Sequence, residues 1–304
     1  MDITNNYDFV LQENPQPDHP YFLHDYLVGE GERYFCAKLL KKQKVRALIF
    51  VVLKADGRAI SLNNAPFGGL WAEKKISSDS LQYLVSELLQ ALKGLGADHF
   101  RVVQPPSTYD ENNPLVHYVL KSQGFQLEGI LLHHFLEDRK FIKGFIHAKI
   151  SKHKKKVKKL QCTVEASSIK TFNFLKDIKR WRSQRGHEYN VQEENLIQQV
   201  SAYPDRYFLV SLYQNEQAAA HALCVKLTPN SLYYYLPAIN PSLQQAYTGE
   251  GLLFEVIRLG ESLGVDFIDL GSSDLDGQPN HNLIRYKMKN ANNAGNKFIW
   301  NLKL

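Results

Sequence analysis

The stretch YTGEGLLFEVIRLGESLGVDFIDLGSS, Tyr247–Ser273, opens on two glycines, runs on with apolar residues at helical spacing and closes in a short apolar strand. Part of it, LGVDFI at Leu263–Ile268, has a counterpart in LGADHF at Leu95–Phe100, an offset of 168 residues. The same offset sets Glu87 on Glu255, Leu88 on Val256 and Leu89 on Ile257. Further on it sets Leu115 on Leu283, Val116 on Ile284 and Tyr118 on Tyr286. An ungapped match across a helix, a strand and a second helix is hard to obtain by chance, so the 304 residues read as two copies of one fold.

Ahead of the helix, each copy reads as a meander. In the first copy Arg33–Leu40, Val45–Lys54 and Arg58–Leu62 are rich in β-branched and aromatic residues, with Ala55-Asp56-Gly57 as a turn; in the second the strands are Arg206–Tyr213, Gln217–Leu227 and Leu232–Ile239. A helix follows (Asp79–Lys93; Gly251–Leu263), then a strand (Asp98–Val103; Val265–Gly271) and another helix (Pro114–Ser122; Asn282–Lys289). A last strand closes each copy (Gln126–Leu136; Lys297–Leu302). The expected fold class is α/β, two tandem domains over residues 1–145 and 164–304, each a mixed, mostly antiparallel sheet flanked by helices. Between them, residues 146–163 place Ile146, Ile150, His153, Val157 and Leu160 at helical spacing among lysines, which predicts a basic amphipathic linker helix.

The composition, 44% hydrophobic and 22% charged, is that of a globular protein, and the net charge of +6 favours anionic partners. Cys36, Cys162 and Cys224 fall in no metal-binding spacing and read as reduced thiols of a cytoplasmic protein. The N-terminus shows no secretory pattern, and the longest apolar run, Ala47–Leu53, falls far short of the roughly 20 residues of a transmembrane segment. His133 and His134, adjacent in a predicted strand, face opposite ways; His19 and His24 have no carboxylate pattern beside them, so no metal is expected.

The meander, the glycine-opened helix and the strand after it resemble the GCN5-related N-acetyltransferase (GNAT) fold. The tandem doubling, the lysine-rich linker and the tail LIRYKMKNA, Leu283–Ala291, resemble the FemABX peptidyltransferases and BioF2-like acetyltransferases. Each domain is then expected to be GNAT-like. The resemblance implies transfer of an acyl or aminoacyl group from acyl-CoA or aminoacyl-tRNA to a small-molecule or lipid-linked amine acceptor, in cell-envelope or surface-polysaccharide biosynthesis. The FemABX aromatic-Lys pair matches Tyr286-Lys287. The aromatic-Gly pair that follows falls on Asn290-Ala291, which argues against a peptidoglycan acceptor, and the sequence has no room for a long tRNA-binding hairpin.

A helix N-terminus behind small residues offers bare N–H groups to a phosphate, so Gly249 and Gly251 are candidates for a carrier's pyrophosphate; the same glycines are consistent with a plain turn. The family loop, Gln/Arg-x-x-Gly-x-Gly/Ala, puts Ala246 at its first position, with Gln245 beside it. The first copy has Leu81 and Tyr83 where the glycines stand, which assigns the carrier to the second copy. Acyl transfer needs a proton acceptor and an oxyanion donor. Asp269 is the candidate base and Lys287 the donor, with Ser272 and Ser273 on the carrier and Arg285 and Tyr286 on the acceptor. The bland reading makes Asp269, Ser272 and Ser273 loop caps, Arg285 a surface residue and Tyr286, like Tyr118, a packing residue.

In the first copy Phe67, Gly68, Gly69 and Trp71 offer flat apolar surface and close backbone approach as an acceptor wall, or else a strand-exit turn. Lys152–Lys159, with Arg180, Trp181, Arg182 and Arg185 continuing the basic character, can meet tRNA phosphates or an anionic membrane, or form a solvated face. The alternative function is a non-catalytic GNAT-like module binding RNA or anionic surfaces through this linker.

Overall fold

A computed structural model describes residues 7–14, 32–62, 65–186, 188–243, 247–275 and 277–304. The first stretch of elements is β1 (Asp8–Glu13), β2 (Arg33–Lys41), β3 (Lys44–Leu53), β4 (Arg58–Ile60), β5 (Leu70–Ala72), α1 (Ser78–Gly94), β6 (His99–Gln104), α2 (Asn113–Ser122) and β7 (Gln126–Glu137). After it come α3 (Arg139–Lys159), β8 (Cys162–Ser168), α4 (Asn173–Gln184), α5 (Glu193–Ala202), β9 (Tyr207–Gln214), β10 (Gln217–Val225) and β11 (Ser231–Ile239). The chain ends with α6 (Thr248–Ser262), β12 (Phe267–Ser272), β13 (Asp274–Leu275), β14 (Gln278–Pro279), α7 (His281–Met288) and β15 (Asn293–Lys303).

The 168-residue offset carries β6 onto β12 residue for residue and the start of α2 onto the start of α7. The meander strands do not follow it, since the second copy takes fewer residues from meander to helix (248 − 207 = 41 from β9 to α6, against 78 − 33 = 45 from β2 to α1), and the second copy also places α4 and α5 ahead of its meander. Phe174, Leu175, Ile178 and Trp181 give α4 a buried stripe at helical spacing, a signal of the same kind as the one that predicted α1.

The chain forms two compact units, one running up to His133 and taken up again over Gly295–Leu304, the other His134–Ala294. In the first the strands lie in the order β1-β2-β3-β4-β6-β15, with β5 on β3. Strand β3 is an unbroken apolar run because it is buried on both faces, and α1 packs Leu81, Leu84, Val85, Leu88 and Leu92 into the same core. The closing strand of the sequence is a correction. Lys297–Leu302 was expected to complete the second copy, yet β15 runs antiparallel to β6, with Trp300 opposite Val102. Trp300 is buried in the first unit's core, with Phe298 and Leu302 packed against it, and this apolar burial fixes where the strand goes.

The second unit has the order β12-β11-β10-β9-β8. Helix α6 buries Leu252, Leu253, Val256 and Ile257 against Val210, Ala222, Leu232 and Ile268 of the sheet. The helix expected over 146–163 is α3, which begins earlier, at Arg139, where the Asp138 carboxylate accepts the Lys140 N–H at 2.5 Å.

Candidate active site

Strands β11 and β12 run parallel, pairing Ser231 with Phe267, Leu232 with Ile268 and Tyr233 with Asp269. Beyond those pairs they separate, for reasons that lie in local sequence. Gly271 takes φ +74°, a conformation open to glycine, and the Asp269 carboxylate accepts the Gly271 N–H at 2.7 Å. On β11 the pairing with β10 slips between Leu223 and Cys224, which leaves Tyr235 as the extra residue of a bulge, and Pro237 brings no N–H to the ladder.

The gap is a pocket of about 490 Å³, and it reaches both faces of the sheet. On the α6 face stand Gly249, Leu253, Tyr234 and Tyr286; on the other stand Trp181, Arg182 and Arg185 of α4 and its C-terminal end, with Tyr233 and Tyr235. Trp181 marks that second face, because its ring stacks on His221 of β10 at 5.2 Å, whereas the neighbouring Ala220 and Ala222 belong to the α6 core.

The first unit has the corresponding gap and fills it. There β4 pairs in parallel with β6, as β11 does with β12, and β5 pairs with β3 as the end of β11 does with β10. Gln104 stands at the repeat position of Ser272. Its Oε1 accepts the Leu70 N–H at 2.9 Å, while Nε2 donates to the Leu70 carbonyl at 2.9 Å and to Asn113 Oδ1 at 2.6 Å. One long amide thus bridges the strands that the short Ser272 leaves apart.

Phe67, Gly68, Gly69 and Trp71 belong to this closure. Phe67 is fully buried against Tyr109, and the Trp71 indole N–H donates to the Gly68 carbonyl at 2.9 Å. A Cβ on Gly68 would sit 2.4 Å from the Ser61 carbonyl oxygen, so the close approach this glycine permits is to the chain's own backbone. None of the four lines the pocket.

Of the residues singled out in the second copy as carrier, acceptor or catalytic candidates, the pocket gathers Gly249, Ser272, Tyr286 and Lys287, and it adds Trp181, Arg182 and Arg185 of the basic run. Gln245 lies outside the described residues. Gly251 sits in the first turn of α6 and is buried, its N–H bonded to the Tyr247 carbonyl at 2.8 Å, and it faces the Tyr247 ring. No side chain caps α6 among the described residues, and the helix begins at Thr248, which leaves Gly249 among its orphan N–H groups. The Tyr286 hydroxyl donates to the Gly249 carbonyl at 2.9 Å and so fixes this turn against α7. Its repeat partner Tyr118 is 69% exposed, so the shared position does not mean shared packing.

Lys287 is the buried charged group in the lining of the site. Only 5% exposed, its Nζ donates to the Gly271 carbonyl at 2.9 Å and the Ser272 carbonyl at 2.5 Å. An ammonium has three donors, so one remains for a ligand. Burial pulls its pKa down to about 8, against the opposing pull of Asp269 and Asp274. Asp269 itself is fully buried and does not line the pocket; it holds Gly271 and supplies counter-charge. Ser273 is buried with its hydroxyl unpartnered among the described residues, and Arg285 is exposed and away from the pocket.

Helix α3 reaches the same turn. His153 meets the Tyr247 hydroxyl through Nδ1 at 2.7 Å and Glu255 through Nε2 at 2.5 Å, and Arg258 also donates to Glu255 at 2.9 Å. Burial pushes the Glu255 carboxyl up, but the His153 hydrogen bond and Arg258 outweigh it and hold the group below the ordinary carboxylate range. Sequence reasoning missed Trp181 as a pocket residue and the Tyr233-Tyr234-Tyr235 run altogether. The run of three tyrosines in a strand with a following proline was the available signal.

Among the described residues no cluster of His, Cys, Asp and Glu is placed to hold a metal ion, and no helix is long and apolar enough to cross a membrane. No protein-family model matches the chain, and no curated protein matches it in sequence. Solved structures do resemble it. FemX matches with a TM-score of 0.67 at 11% identity, over 96% of this chain and 97% of that one. A tandem GNAT protein from the clavulanic acid biosynthesis pathway matches with a TM-score of 0.56 at 8% identity, over 98% of both. L-PGS from Bacillus licheniformis matches with a TM-score of 0.56 at 13% identity, over 90% of this chain and 84% of that one. At these identities the likeness is one of fold: the chain has the mixed α/β, tandem GNAT-type architecture shared with FemX.

Proposed function

We propose that the second unit is an N-acyltransferase, with an acyl-CoA thioester or a similarly activated acyl carrier as donor and an amine as acceptor. The observation that carries this reading is Lys287, a buried ammonium at an open pocket with one donor unspent. The carrier's phosphates lie at the Gly249 end of α6, and its acyl arm enters between β11 and β12. The acceptor nitrogen attacks the acyl carbonyl, Lys287 stabilises the oxyanion that develops, and collapse expels the thiolate while the amine's proton passes to solvent. Burial holds the Tyr233 and Tyr286 hydroxyls protonated well above neutral pH, so neither serves as a base, and Tyr286 gives its one O–H to the Gly249 carbonyl. Asp269, shut off from the pocket, acts as a positioning residue.

The test is thermal unfolding with and without acetyl-CoA. Saturation at about 100 times Kd adds about 2.7 kcal/mol, a rise of a few degrees. Gly249→Leu is expected to lose the shift, because its side chain would grow from a residue that lines the pocket, with Ile239 3.2 Å from its Cβ. No shift with acyl-CoA or with aminoacyl-tRNA would defeat the proposal.

A second reading rests on α3, where Lys140, Lys143, Lys154, Lys155, Lys158 and Lys159 are exposed and make no ion pair among the described residues. On that reading the unit binds RNA or another polyanion without catalysis, with steep salt dependence and no response to Gly249→Leu.

A further inference from the structure

We infer that the acceptor amine carries an oxyanion, a carboxylate or a phosphate, which Arg182 and Arg185 receive on the α4 face of the pocket. This deepens the acyltransferase reading and rests on it. The pocket presents two chemically different sides. Its α6 face ends in backbone N–H groups at Gly249; its α4 face brings two guanidinium groups beside Tyr233 and Tyr235. A carrier anchored at α6 on one face of the sheet leaves the arginines on the other, so they serve the second substrate.

The arginines are suited to that role. Arg182 is half-buried, and its Nε donates to the Glu188 carbonyl at 3.0 Å, which orients the guanidinium while its terminal nitrogens have no carboxylate partner among the described residues. A planar fork of this kind matches a carboxylate or phosphate. Trp181, 1% exposed and also lining the pocket, has an indole N–H with no hydrogen-bond partner among the described residues. A buried donor left unmade is costly, and an acceptor oxygen in the pocket would satisfy it. The tyrosine rings add flat, weakly polar walls, which suit a small substrate with a short carbon stem.

Calorimetric titration of the full chain, with no donor present, reads the inference directly. The probes are two matched pairs, phosphoethanolamine with ethanolamine and glycine with glycinamide. In at least one pair the anionic member is expected to bind at least about 10-fold more tightly, and the pair that discriminates tells phosphate from carboxylate. Arg182→Gln/Arg185→Gln is expected to erase the preference while leaving CoA affinity within about twofold; Arg182→Lys keeps the charge and should retain part of it. Equal or absent binding across both pairs overturns the inference, and so does a loss of CoA affinity in the double variant, which would give the arginines to the carrier. If CoA fails to bind the wild type while the anionic preference stands and depends on the arginines, the acyltransferase reading falls and the anion site remains.

Discussion

Lys287→Met is expected to lower kcat for acyl transfer by about 10²–10³-fold, the usual cost of removing one oxyanion donor from a dry site. The pH profile separates this role from a structural one. Because the ammonium is the active form and titrates near 8, the wild-type kcat should fall as pH rises through about 8, and that falling limb should vanish in Lys287→Met. Stability moves the other way. The folded-state pKa of about 8 lies below the ordinary 10.5, so the folded protein sheds the proton first, and stability gains as pH rises from 8 toward 10.5. The full gain is about 3 kcal/mol, and it should appear as a difference between wild type and Lys287→Met in denaturant titrations run across that range. An unchanged kcat in the variant would remove Lys287 from the chemistry.

Ser272→Gln should abolish donor binding while leaving the fold intact. In the first unit Gln104, at the equivalent position, bridges to both the N–H and the carbonyl of Leu70 and closes the gap between strands. Ser272 lines the pocket that the second unit keeps open, and a glutamine there has the length to span it. The thermal shift with acetyl-CoA should fall to zero and transfer should drop below detection, with unfolding of the free protein within a few degrees of wild type. Full binding in this variant would mean that the open gap is not where the donor goes.

Much of the architecture was legible because burial leaves a periodic trace. The repeat offset found α1 and α6, β6 and β12, and α2 and α7, whose apolar spacing is fixed by packing on a sheet. The destination of β15 was not legible, since a strand pattern says which face is apolar and not which partner it meets. In the site, Lys287 could be named because it replaces Val119 at the matched position and falls in the aromatic-Lys pair, and Ser272 because a hydroxyl follows the apolar strand. Phe67, Gly68, Gly69, Trp71 and Asp269 stand out by residue type, and the structure places them outside the lining of the pocket. A glycine pair beside aromatics, or a carboxylate at a strand end, looks the same in sequence whether it faces a ligand or its own backbone. The α4 arginines read only as part of a basic run able to meet tRNA phosphates; their place at the pocket was not legible, because it comes from Trp181 packing on His221, a contact between distant parts of the chain.

The most direct test of the central claim is a crystal structure of the protein with a non-hydrolysable acyl-CoA analogue. The account predicts the acyl arm between β11 and β12, its carbonyl oxygen within about 3 Å of Lys287 Nζ and the pyrophosphate at the Gly249 end of α6. An analogue bound elsewhere, with the gap beside Ser272 left empty, would contradict it.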